Sequence, residues 1–217
     1  MGRIKQIEKY VEKVMSSETA HDFKHVNRVR NWALLIARNE NFKDMDMVEV
    51  AALMHDVGLP QANPRNLHGK IGAEMTTKYL TDQQLFNEDD ILEISNAIKY
   101  HNKNRVGEGL LLNIIRDADA MDLFGATGIM RAYTSKSIKP EYDIENIKGE
   151  TWTMSAIDFD KRFDNGTGIG KYITDQINFQ ISCYDNLQTA TAKQLAKPLV
   201  QFMKRFMIQL ENEIIQL

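Results

Sequence analysis

The sequence predicts an all-α fold, a helical bundle interrupted once by a polar excursion at about 135–171. Three observations predict it: apolar residues recur at helical spacing, strand-like alternation is nearly absent, and the breaks fall at cap and turn residues. Ile4, Ile7, Val11 and Val14 form one face of a first helix, and Val26, Val29, Ala33, Ile36 and Ala37 one face of a second. A third is expected from near Asp46, where Asp46-x-x-Glu49 has the form of a capping box, to Gly58 with Pro60 just beyond. Residues 59–67 (LPQANPRNL) read as a loop, 68–80 as a fourth helix, and 88–101 as a fifth capped by Asn87. A sixth begins near Leu110.

The excursion at 135–171 holds Pro140, Gly149, Gly166, Gly168 and Gly170. It reads either as a surface loop or as a lid, with Asn165-Gly166 turning a small hairpin. Its Gly166-Thr-Gly168-Ile-Gly170 run lacks the βαβ frame of a dinucleotide fingerprint. From Tyr172 to Leu217 the pattern returns to two helices, broken before Thr191.

Composition excludes some classes. A net charge of -3 offers no general grip on nucleic acid or on an anionic membrane. Cys183 is the only cysteine, so no internal disulfide forms and a reducing, cytoplasmic setting is expected. No apolar run approaches the roughly 18 residues of a membrane span. All five histidines, at 21, 25, 55, 68 and 101, fall in the first half, so any metal site draws its nitrogen ligands from there.

The strongest local signal is Val50-Ala-Ala-Leu-Met-His55-Asp56-Val-Gly58, a histidine and an acid side by side in apolar surroundings at a helix end. Burying a carboxylate costs several kcal/mol unless it is paired, and a helix C-terminus disfavours negative charge further. A bound cation removes both penalties; an Asp56 that reaches solvent beside a core histidine fits the dipeptide equally well. A second dipeptide, His21-Asp22, lies in a polar stretch where Asp22 reads as a helix cap. His21 and His25 share a helical face, as does Arg28 with His25, and spacing does not choose between the two histidines. Three acids, Asp117, Asp119 and Asp122, stand on the sixth helix; Asp117 follows its most apolar run and is expected to face inward. His68 opens a helix and His101 closes one.

These residues resemble the His … His-Asp … Asp signature of the HD-domain superfamily, in its stand-alone bacterial branch. The matching segments are HDFKHVNRV (21–29), AALMHDVG (51–58), HGKIGAE (68–74), AIKYH (97–101), RDADAMDLFGATGI (116–129) and TAKQLAKPLVQFMKRF (191–206). The resemblance implies a single HD domain over 1–217, with a metal-binding core at about 20–130 and C-terminal helices at about 172–217. It places the metal ligands at His25, His55, Asp56 and Asp117. Asp56, Arg28, His68 and His101 make up the expected catalytic set, with His68 and His101 read as binding phosphate or donating a proton in preference to holding a second metal. It implies Mn²⁺, Fe²⁺, Co²⁺, Ni²⁺ or Mg²⁺, with Zn²⁺ also admissible. One ion is favoured, or two if His68 and His101 complete a second site. The implied activity is hydrolysis of a phosphate ester or nucleotide by a metal-activated water, with Arg28 on the phosphate. The alternative is a non-catalytic phosphate or nucleotide sensor using the same cleft. Cyclic-dinucleotide phosphodiesterases of the superfamily carry a lysine where Leu59 stands and paired histidines where His101-Asn102 stands. Deoxynucleoside monophosphatases carry a glutamate near Leu59-Pro60. The resemblance therefore leaves the substrate open.

Overall fold

The computed structural model describes residues 2–15, 22–103, 106–136 and 138–215. Among these residues every regular element is helical, in agreement with the expected all-α class: α1 Arg3–Val14, α2 Phe23–Asn39, α3 Met45–Met54, α4 His68–Asp82, α5 Glu88–Tyr100, α6 Leu110–Met121, α7 Gly125–Ser135, α8 Ala156–Asp164, α9 Ile173–Ser182 and α10 Ala190–Ile215. Single 3₁₀ turns lie at Leu59–Gln61, Arg65–Leu67 and Cys183–Asn186. No helix among the described residues is long and apolar enough to cross a membrane.

The chain divides into two compact units. The first comprises residues 1–121 with the short segment 188–192. Here α2 packs against α3 and α6, α4 lies along α5, and α5 meets α6. The buried face of α2 is Val26, Val29, Ala33, Ile36 and Ala37, the set that the apolar spacing predicts. α3 is buried nearly all round and supplies the core of the unit. Its cap is Asp44, whose side chain accepts from the Met47 amide at 3.1 Å, and not the expected box at Asp46. That box does not form because the helix begins earlier and Asp46 lies in its first turn, where it pairs with Arg3, as Glu49 pairs with Arg30.

The second unit comprises residues 122–187 and 193–217. Its first salt bridge is buried, Asp122 to Arg131 at 2.9 Å. The polar excursion is more structured than the sequence reading has it, because α8 lies inside it. Ser155 and Asp158 form a full capping box there, a Ser-x-x-Asp signal present in the sequence. Asn165-Gly166 is not a hairpin turn. It closes α8, with Gly166 at φ +77° and the Thr167 amide donating back to the Arg162 carbonyl, a Schellman ending. Asp175 anchors the rest: fully buried, it accepts from the Thr151 amide and hydroxyl and from the Tyr172 amide. The helical break before Thr191 is found as expected.

Candidate metal centre

Three histidines of the first unit stand at helix ends and make the same local contact. His55 follows the last residue of α3, His101 follows the last residue of α5, and His68 opens α4 just after a 3₁₀ turn. Each directs Nδ1 at the carbonyl three residues back: His55 to Ala52 at 2.8 Å, His101 to Ile98 at 2.7 Å, His68 to Arg65 at 2.8 Å. The last carbonyls of a helix lack partners within it, so at Ala52 and Ile98 an imidazole N–H satisfies an otherwise orphaned acceptor, whereas the Arg65 carbonyl also accepts from the His68 amide. A carbonyl only accepts, so at His55 and His101 Nδ1 carries the hydrogen and Nε2 is left as the outward donor atom, while His68 Nδ1 also has the Asn102 amide nitrogen at 3.2 Å. His25 comes from the core face of α2 and is fully buried. Asp22, read from the sequence as a cap, caps that helix by accepting from the His25 amide at 3.1 Å.

The four Nε2 atoms converge on Asp56. Its Oδ2 lies 3.5 Å from His25 Nε2 and 3.3 Å from His55 Nε2. Its Oδ1 lies 3.4 Å from His68 Nε2 and 3.5 Å from His101 Nε2. Within each pair the nitrogens are 3.3 Å apart. The site thus contains two triads of potential ligands, His25–His55–Asp56 and Asp56–His68–His101, sharing one carboxylate. Donors at about 2.1 Å from a common ion stand roughly 3.0–3.4 Å apart, depending on coordination geometry. The observed separations of 3.3–3.5 Å lie at or just beyond the upper end of that range, so both triads could hold a divalent cation with a slight contraction.

The two nearby acids of α6 go to different places. Asp119 Oδ1 lies 3.5 Å from His25 Nε2 and 4.0 Å from His55 Nε2. Asp117, the expected ligand, is buried, and both its oxygens accept from the segment leading into α10. Gln188 N donates at 2.8 Å, Thr189 N at 2.7 Å and Thr189 Oγ1 at 2.7 Å. Two residues rotate a helix by about 200°, so only one of these acids can face the imidazoles. The signal for Asp119 was present: it shares the helical stripe of Leu112 and Ile115, both buried. Arg28 sits half-buried on α2, one turn beyond His25. His21 lies outside the described residues.

Gly58 sets the approach between the two triads. A Cβ there would stand 2.2 Å from the His68 carbonyl and 2.5 Å from the Gly72 amide nitrogen. Only a glycine lets the turn after His55-Asp56 touch the start of α4, which carries His68.

The electrostatics differ between the two halves of the site. Burial drives the His55 imidazole toward its neutral form. The charge of Asp56, the hydrogen bond to it, the charge of Asp119 and the Ala52 carbonyl outweigh this and raise its pKa to about 9. For His68, burial prevails and, helped by neighbouring His101, lowers the pKa against the pull of Asp56.

Comparison with known proteins bears on this geometry. Residues 22–123 match the family model of the HD domain. The chain is 26% identical over 227 residues to the uncharacterised protein YpgQ of Bacillus subtilis, covering 99% of this chain and 95% of that protein. The crystal structure of Bacillus subtilis YpgQ in complex with ADP superposes with a TM-score of 0.67 at 22% identity, covering 97% of this chain and 94% of that one. A predicted HD superfamily hydrolase from an uncultured Thermotogales bacterium gives 0.66 at 22% identity, covering 98% and 93%. At this identity the solved structures establish a shared fold.

Proposed function

We propose, from the match of residues 22–123 to the HD-domain family model, that the chain is a metal-dependent phosphohydrolase acting on a phosphate ester, with a nucleotide as the favoured substrate class. The observation that carries the reading is the placement of Asp56, with each carboxylate oxygen facing its own pair of imidazole nitrogens. We assign one ion to His25, His55, Asp56 and Asp119, with Asp119 in the place first given to Asp117. A second ion goes to Asp56, His68 and His101. The geometry favours two ions over the single ion preferred from sequence, because both oxygens of Asp56 are equally served. Divalent ions held this way supply a water of lowered pKa and a Lewis acid for a phosphoryl oxygen.

The chain's own residues do the rest. The Nδ1 contacts hold the imidazoles of His55, His68 and His101 in one orientation. Asp56 fixes the distance between the two halves of the centre. We assign the phosphate to Arg28 because it stands one helical turn from His25. The ADP complex of the Bacillus subtilis relative supports a nucleotide ligand.

The test is a screen of p-nitrophenyl phosphate, its bis ester and nucleoside mono-, di- and triphosphates. The protein is first stripped with chelator and then reloaded with Mn²⁺, Fe²⁺, Co²⁺, Ni²⁺, Mg²⁺ or Zn²⁺. Hydrolysis that appears on reloading and disappears in Asp56→Ala is expected. Nucleotide binding without turnover under every ion would replace the enzyme by a sensor.

A further inference from the structure

The guanidinium of Arg116 binds the end of the helix that carries His101. Its Nε and Nη2 donate to the Tyr100 carbonyl at 3.3 and 2.9 Å, and Nη2 also meets the carbonyls of Lys103 and Val106. Tyr100 is the last residue of α5, and His101 is the next residue. The C-terminal carbonyls of α5 are therefore closed by two side chains. His101 Nδ1 takes Ile98, and Arg116 takes Tyr100. A cation at this position also complements the negative end of the helix dipole. Arg116 stands on α6, three residues before Asp119, the acid 3.5 Å from His25.

We propose that Arg116 is a positioning residue for the His68–His101 half of the centre. It holds the end of α5 so that His101 Nε2 stays 3.5 Å from Asp56 and 3.3 Å from His68. Resting on the two-ion reading above, this gives α6 two separate tasks. Asp119 serves the His25–His55 half directly, and Arg116 serves the other half through the backbone of α5. The first half does not pass through Arg116: His25 stands on α2, and His55 and Asp56 follow α3. α6 is held independently by the bonds of Asp117 to Gln188 and Thr189.

Two measurements on Arg116→Met and Arg116→Lys test this. The first is titration of chelator-stripped protein with Mn²⁺, read by calorimetry and by the electron paramagnetic resonance signal of a coupled ion pair. Arg116→Met is expected to bind the first ion with nearly unchanged affinity and the second about 10–100-fold more weakly, with the coupled signal replaced by that of isolated Mn²⁺. Arg116→Lys, which can still reach one carbonyl, is expected to fall between. The second measurement needs no metal: imidazole ¹⁵N resonances of the stripped protein. In Arg116→Met those of His101 shift toward solvent values while those of His25 and His55 stay. Retention of both ions and of the His101 resonances overturns the proposal, as does equal loss at all sites in a folded variant. Wild-type protein that takes up one ion or none refutes the two-ion reading, and the resonances then judge Arg116 alone.

Discussion

Asp119 Oδ1 stands 3.5 Å from His25 Nε2, whereas Asp117, two residues earlier on the same helix, faces the amides of Gln188 and Thr189. The two acids therefore fail differently when removed. Asp119→Ala should weaken binding of the first ion at least about tenfold and leave the melting temperature of the stripped protein nearly unchanged. Asp117→Ala strands two amides and a hydroxyl and should cost about 1–3 kcal/mol, a melting-temperature fall of several degrees, with smaller effect on ion affinity. Calorimetric titration and thermal denaturation on both variants decide it. Loss of the ion in Asp117→Ala alone would restore the original assignment.

Asp56 is the one residue common to both halves of the centre, so Asp56→Ala should remove both ions together. His101→Ala should remove one. Elemental analysis of the reloaded variants gives the count directly, and equal loss in the two would refute the shared-carboxylate arrangement.

Gly58→Ala is expected to be among the most damaging single-methyl additions to the first unit. The new Cβ meets backbone on two sides, at 2.2 and 2.5 Å, and neither can swing aside as a flexible side chain would. We expect a drop of several degrees in melting temperature or an insoluble product. A stable, fully loaded Gly58→Ala protein would show that the turn and α4 separate easily.

In the stripped protein His55 holds its proton up to about pH 9. Because that pKa is raised above the unfolded value near 6.5, its stabilising contribution is complete below about pH 6.5 and is lost as the pH rises through 9. A cation competes for the same Nε2, so ion affinity should climb over this window while the stability of the stripped protein declines. Urea melts and Mn²⁺ titrations at pH 6, 7.5 and 9 test the opposed slopes. Affinity independent of pH would remove His55 from the ligand set.

The helices and their order were legible because periodicity and caps are local. His25, His55, Asp56, His68 and His101 were all singled out, and the structure brings these five together. The bridging geometry of Asp56 was not legible, since it depends on how the ends of α3, α4 and α5 meet in space. The choice between Asp117 and Asp119 was out of reach of the sequence for a related reason. A carboxylate in an apolar helix must be satisfied, but its partner can lie 71 residues away in the chain, as Gln188 does. In the excursion, gly-rich composition concealed α8, although its Ser155–Asp158 cap could have been read. His21, raised with His25 as an alternative ligand, lies outside the described residues.

The contact that His55, His68 and His101 each make with a carbonyl three residues back also bears on how fast the proposed centre would exchange its ions. A ring flipped about χ2 would turn a C–H toward that carbonyl and lose the bond, so each imidazole waits in its ligating pose before any cation arrives. The orientational entropy of three ligands is spent when the helix ends form rather than when an ion is captured. Stripping with chelator should therefore leave the backbone where it was. Ions should return without a slow conformational phase, and one ion species should replace another at rates set by ligand exchange at the cation itself.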